Sequence, residues 1–292
     1  MAASRPGGGV MDAGHDALQS YVDKWLAAQP AQRVALAFVD PARHPGHIAL
    51  AALEQELLAA AYGIREPHVA ATKLNWWAEE LGGAGEAGGR HPLTQVLFDD
   101  ERAARIDRER WLAPVLAAMA QLEEGTAADF GAQLSAASQL HGAMAALETA
   151  WWFGESAAPE RAARLAALAH LLHALRRLDD DAERDRLPLP MTLLARHDLS
   201  RDRLRRAGPA RNAAVRDQLG ELVAAWRGAV RLPGPLSVFR AVESREGERL
   251  AQRAASAAEP LQALQRARPS GGLGTTLAAW QAARRWRHTD AA

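Results

Sequence analysis

The residues best suited to chemistry in this chain form a short polar series, His170, His173, Arg177 and Asp181. They recur at three- and four-residue steps, so on a helix they share one side. Leu165, Leu168, Leu172 and Leu175 recur at the same steps and take the opposite side. A carboxylate and imidazoles aligned in this way could ligate a metal ion, and a guanidinium among them could hold a phosphate. On periodicity alone the ordinary reading is a helix whose polar side meets bulk water. Chemistry follows only if that side faces a cavity. His170 and His173 with His141 or Asp181 would make a transition-metal set. Two of ten histidines at that spacing carry little weight, however, and no resident metal is expected. There is no Gly-x-Ser-x-Gly elbow for hydrolase chemistry and no cysteine for thiolate chemistry.

The elements that must position these residues are helical. Alanine and leucine dominate the 292 residues, 48% are apolar, and strand-like alternation of β-branched residues is scarce, so the fold class is all-α. Residues 162–190 read as one long helix, 162–182, followed by a stiff exit in which Pro188 and Pro190 forbid the helix from continuing. Further helices are expected at about residues 15–29, 46–62, 126–153, 209–231 and 273–288, and GGAGEAGG at 82–89 reads as a flexible loop. Lys+Arg and Asp+Glu are both 35, a balance that argues against a nucleic-acid partner. No run of apolar residues is long enough to span a membrane. The opening stretch lacks a hydrophobic segment, so residues 1–14 are expected to be a disordered tail rather than a signal peptide, ahead of one domain at 15–290. The last helix carries Trp280, Arg284, Arg285, Trp286, Arg287 and His288, a composition that suits a membrane surface as well as docking on its own domain. The expected location is the cytoplasm, with peripheral contact at the inner membrane face through that helix.

Two segments carry a resemblance. One is Arg65-Glu66-Pro67, then Lys73-Leu74-Asn75-Trp76-Trp77-Ala78-Glu79-Glu80-Leu81, then His91-Pro92-Leu93. The other runs from Leu175 through Asp179-Asp180-Asp181 to Arg184-Asp185-Arg186 and Leu189-Pro190. Together they resemble the squalene/phytoene synthase family. The resemblance implies a single isoprenoid-synthase-like helical bundle around a central cavity. It also implies two aspartate motifs that hold prenyl diphosphates through Mg²⁺. By that pattern the first motif falls on Leu58, Ala59 and Tyr62, where no carboxylate remains. Glu54 and Glu56 lie close by but, two residues apart, point to different sides of a helix. In the second motif, a Gln-x-x-Asn pair becomes His170 and His173, the first aspartate becomes Arg177, the second survives as Asp181, and the glycine of an Arg-Gly-Arg turn becomes Asp185 between Arg184 and Arg186. His141, His170, His173, Arg177, Asp181, Arg184 and Arg186 are therefore the expected cavity residues. Mg²⁺ wants several hard oxygens, and a guanidinium repels it. The expectation is a degenerate, non-catalytic member with no cofactor, similar to the branch that includes a mitochondrial complex I assembly factor. It would bind a protein partner or an isoprenoid or other lipid. The alternative is an active head-to-head prenyltransferase using Mg²⁺ on Asp181.

Overall fold

Proline and glycine punctuate the alanine- and leucine-rich chain, and helices fill the intervals. A computed structural model describes residues 8–184, 186–268 and 271–290, with side chains from residue 17 to residue 288. Residues 1–7 of the expected tail, and Asp185, lie outside the described residues. Helix α1 is Gly8–Ala28, starting seven residues before the expected His15, and a 3₁₀ turn follows at Pro30–Ala37. Then come α2 Pro45–Leu58, α3 Pro67–Ala87, α4 Pro92–Phe98, α5 Arg108–Gln121 and α6 Phe130–Phe153. The second half holds α7 Glu160–Arg176, α8 Leu178–Glu183, α9 Met191–Arg196, α10 Arg201–Leu204, α11 Pro209–Ala229, α12 Val238–Ala255, α13 Pro260–Arg266 and α14 Leu273–Asp290. Helices α2, α3, α4, α11 and α13 all begin with proline in the first turn, where its missing N–H costs nothing. Gly88 and Gly154, at φ 77° and 89°, end α3 and α6 in a backbone region that side chains disfavour. No strand occurs among the described residues.

Two expectations are corrected. Residues 82–87 are not a loop but the last turns of α3. Glycine's weak helix propensity is overridden by packing, because Leu81 and Ala84 are buried and a Cβ at Gly82 would stand 3.2 Å from the Arg108 guanidinium on α5. The long helix of residues 162–182 is interrupted at Arg177, which leaves helical geometry at φ −92°, ψ 14°. Beyond the break, α8 is tied to α11 and α13 through Asp179, which accepts from Arg211 at 2.7 Å and, on its other oxygen, from Gln265 at 2.7 Å.

Two apolar clusters make the core, one built on α1 to α6 with Trp25, Trp77, Trp111, Trp151 and Trp286, the other on α7 to α13 around Leu168, Leu172 and Trp226. They meet along α12, whose first turns (Val238, Phe239, Val242) join one cluster and whose last turns (Leu250, Ala251, Ala254) join the other. The tryptophan motif is part of this packing. Trp77 is buried while its neighbour Trp76 is exposed, and Glu79 is exposed while Glu80 is buried. The Glu80 carboxylate accepts from the N–H groups of Arg90 and His91 and from Thr94 Oγ1, so it anchors the His-Pro start of α4. Burial works to raise its pKa, but these bonds and the Arg90 guanidinium outweigh it and pull the carboxyl down to about 2.

Helix α14 has two apolar faces. Thr275, Ala279, Ala282, Ala283 and Trp286 are buried against the domain. Leu273, Leu277 and Trp280 stand outward in an exposed stripe, and Arg284 lies over the Trp280 ring at 5.7 Å. No described helix is long and apolar enough to cross a membrane.

Candidate functional site

Between the two core clusters lies a cavity of about 810 Å³. α2 and the wider π-helical turn at Ala59–Gly63 that ends it supply Leu58, Ala59 and Tyr62 to its wall. α7 supplies His170 and His173, the α7–α8 break supplies Arg177, and α8 supplies Asp181. The polar side of the 162–181 stretch therefore faces a cavity and not bulk water. His173 is exposed and lines that cavity. Arg186 lines the cavity as well. Arg184 does not, because α8 stops at Glu183 and the chain leaves the helix before it can face the same way as Asp181. His141 is buried behind the wall, its ring 4.3 Å from that of His170, which in turn is 4.4 Å from Tyr62.

The charges in this wall are largely arranged by arginine. Asp181 Oδ1 accepts from Arg186 Nη2 at 2.7 Å and Nε at 3.0 Å. The third arm of the same guanidinium, Nη1, donates to the Tyr62 carbonyl at 3.0 Å. One cation thus clips the first-motif segment to the second. Arg177, one turn from Asp181, is not its ion-pair partner. Burial, His173 and Arg177 hold His170 neutral, with its pKa down at about 3. Burial also lowers His173, with Arg177 and Arg176 adding to it, and lowers His141 well below the usual range. Burial, and then Glu124, raise the pKa of the Tyr62 phenol, whose O–H donates to Gln121 Oε1 at 3.1 Å. At neutral pH the imidazoles are uncharged hydrogen-bonding groups, and positive charge in the wall comes from arginine alone.

The donor set does not suit Mg²⁺. Leu58, Ala59 and Tyr62 offer no carboxylate, and of the carboxylates on the wall Asp181, Glu243 and Glu246 are ion-paired and Glu124 is hydrogen-bonded by Gln121. Asp179 is bound to Arg211 and Gln265, Asp180 is exposed, and neither lines the cavity. Among the described residues no group of three His, Asp or Glu side chains is arranged to hold a metal ion, the His141–His170 pair included.

Sequence reasoning missed two parts of the site. Arg65 lines the cavity but entered only as a motif letter. Beside the cavity, Arg240 of α12 is buried among Glu54, Glu148 and Glu243, at 2.9, 2.8 and 2.6 Å. Only the Arg240–Glu243 spacing was visible as a pair, and Glu54 and Glu148 come from helices far away in sequence. Glu54 and Glu56 do point apart, the latter to Lys73 and Lys24.

The fold is similar to that of two solved structures. A dehydrosqualene synthase in complex with ligand aligns over 95% of this chain and 99% of its own, with a TM-score of 0.66 at 9% identity. Squalene synthase HpnC from Alicyclobacillus acidocaldarius aligns over 92% of this chain and 95% of its own, with a TM-score of 0.53 at 16% identity. No curated protein sequence matches significantly. At these identities the likeness speaks for the fold. Membership comes from the sequence itself: residues 31–270 match the family model for squalene/phytoene synthase, and the chain belongs to that family.

Proposed function

We propose that this chain is a non-catalytic member of the family, a binding or assembly factor whose cavity takes an isoprenoid or other lipid with an anionic head. The observation that carries this reading is the exchange at the two motifs. Leu58, Ala59 and Tyr62 face the cavity where carboxylates are implied, Arg177 stands for an aspartate, and Asp181 is held by Arg186. Ionising an allylic diphosphate needs metal ions to take up charge on the leaving group, and one paired carboxylate is a poor anchor for them. The survival of Asp181 on the wall favours a second reading, a head-to-head prenyltransferase. The two separate in one assay, in which purified protein is given farnesyl or geranylgeranyl diphosphate with Mg²⁺ and diphosphate release is followed. We expect none above background from folded protein. Metal-dependent release that Asp181→Ala abolishes would establish the enzyme instead.

The outer stripe of α14 is the part of the surface suited to an anionic membrane. Leu273, Leu277 and Trp280 can insert, and the exposed Arg284, Arg285, Arg287 and His288 follow on the same helix. Each arginine near an acidic surface contributes about 1 kcal/mol and each buried large apolar side chain about 1.5–3 kcal/mol. The protein should co-sediment with vesicles containing acidic phospholipid, and the Leu277→Glu/Trp280→Glu double variant should bind at least about tenfold more weakly. Equal sedimentation of the variant, or none of either protein, would refute the contact.

A further inference from the structure

Most anions around the cavity are neutralised within the protein. Asp181 is paired with Arg186 and Glu246 with Arg249, and Glu243 shares Arg240 with Glu54 and Glu148. Glu124 stands exposed on the rim, hydrogen-bonded by Gln121. The cations do not balance in the same way. Arg65 and Arg177 line the cavity, and neither side chain has a hydrogen-bond or ion-pair partner among the described residues. Arg176 adds a third charge, since its Nη2 donates to the Ala267 carbonyl at 2.7 Å and the Gln265 carbonyl at 3.3 Å, which neutralise nothing.

Arg177 is the best placed of the three. It sits where α7 breaks before α8, one turn beyond His173 and two beyond His170, whose uncharged rings can each give or take a hydrogen bond. The wall also carries apolar side chains, Ala136, Ala137, Leu172, Leu250 and Leu264 among them, alongside glutamines such as Gln55 and Gln133 and the ion-paired Glu243 and Glu246. A half-buried guanidinium with no counter-ion among the described residues, on a cavity wall that also carries these apolar side chains, suits an anion that brings its own apolar chain. The planar fork of arginine matches phosphate oxygens two at a time.

We infer that the cavity receives the phosphate or diphosphate head of an apolar-chain ester directly on Arg177, with no metal ion between them. This rests on the ligand-binding reading above. It assigns to Arg177 the charge that a metal would otherwise bring, so binding should ignore chelators and respond to that one side chain.

The probe is farnesyl thiodiphosphate, which resists ionisation, titrated into the full chain by calorimetry in EDTA and again in Mg²⁺. Farnesyl phosphate and farnesol are run in parallel. The wild type should bind the thiodiphosphate equally well, within about twofold, in both buffers. Arg177→Gln should weaken both phosphorylated ligands about tenfold or more, leave farnesol unchanged, and be partly rescued in Arg177→Lys. Circular dichroism establishes that each variant is folded. Binding that requires Mg²⁺, or an Arg177→Gln variant that binds the phosphorylated ligands as the wild type does, overturns the inference while leaving the cavity a ligand site. Failure of folded protein to bind any of the three ligands overturns the ligand-binding reading together with it.

Discussion

Replacing Arg240 with methionine should lower the unfolding free energy by about 3–5 kcal/mol at pH 7.5, measured by urea denaturation. Arg240 is 4% exposed and is the shared partner of three carboxylates from three helices, Glu54 on α2, Glu148 on α6 and Glu243 on α12. The Ser237 hydroxyl bonds Glu148 and also caps α12 by accepting from the Arg240 N–H at 2.9 Å. Methionine fills much the same volume, so the loss would be electrostatic, leaving three buried acids without their cation. Their surplus over one guanidinium already shows in the wild type. Burial raises the Glu54 pKa, Arg240 opposes this, and Glu148 and Glu243 add to it, with the result at about 7. A raised carboxyl pKa means the folded state binds the extra proton. The Glu54 contribution is complete below its ordinary value of 4.5 and is lost as pH rises through about 7. The Arg240→Met deficit should therefore shrink as pH falls from 7.5 to 5.5 and the orphaned acids protonate. A deficit under about 1 kcal/mol, or one independent of pH, would mean the cluster does not hold the three helices together.

The second large effect is acid lability through His47. Its ring lies 4.4 Å from Trp152 and 5.0 Å from Trp286, is 1% exposed, and neither nitrogen has a hydrogen-bond partner among the described residues. Burial, with help from Arg102 and His44, pushes its pKa from 6.5 down to about 2. The sign is opposite to that of Glu54. The unfolded chain takes up a proton below pH 6.5 and the folded chain does not, so the stability present above 6.5 is lost as pH falls toward about 2. The slope is about 1.4 kcal/mol per pH unit for one such group. His170, held at about 3, acts in the same direction. A comparison of wild type with His47→Phe isolates the one residue, because every other titration is common to both. The stability difference should move in favour of the variant by about 2 kcal/mol between pH 6.5 and 4.5, whatever offset repacking introduces at neutral pH. Parallel stability curves across that range would show that the His47 ring is protonated or solvated in the fold.

Much of this protein is legible in its sequence because the relevant physics is local. Leucines at three- and four-residue steps, prolines in first turns and Gly154 at a helix end specify helices without reference to the rest of the chain. The polar series His170, His173, Arg177 and Asp181 could be placed on one side for the same reason. That Leu58, Ala59, Tyr62 and Arg177 stand at the positions where the family resemblance implies carboxylates was readable before any coordinates. What tertiary structure decided was every pairing between distant elements. Periodicity cannot distinguish water from a cavity, since both accept polar side chains, and only the approach of the Ala59–Gly63 turn to α7 brings Tyr62 to 4.4 Å from His170. Asp181 goes to Arg186 and not to Arg177 because the helix breaks between Arg177 and Leu178 and the chain turns back after Glu183. The Gly82–Ala87 segment is helical because α5 offers it a close surface that compensates for glycine's backbone entropy. Arg240 carries no local signal beyond its spacing to Glu243: α2 and α6 bring its other two carboxylates from 186 and 92 residues away.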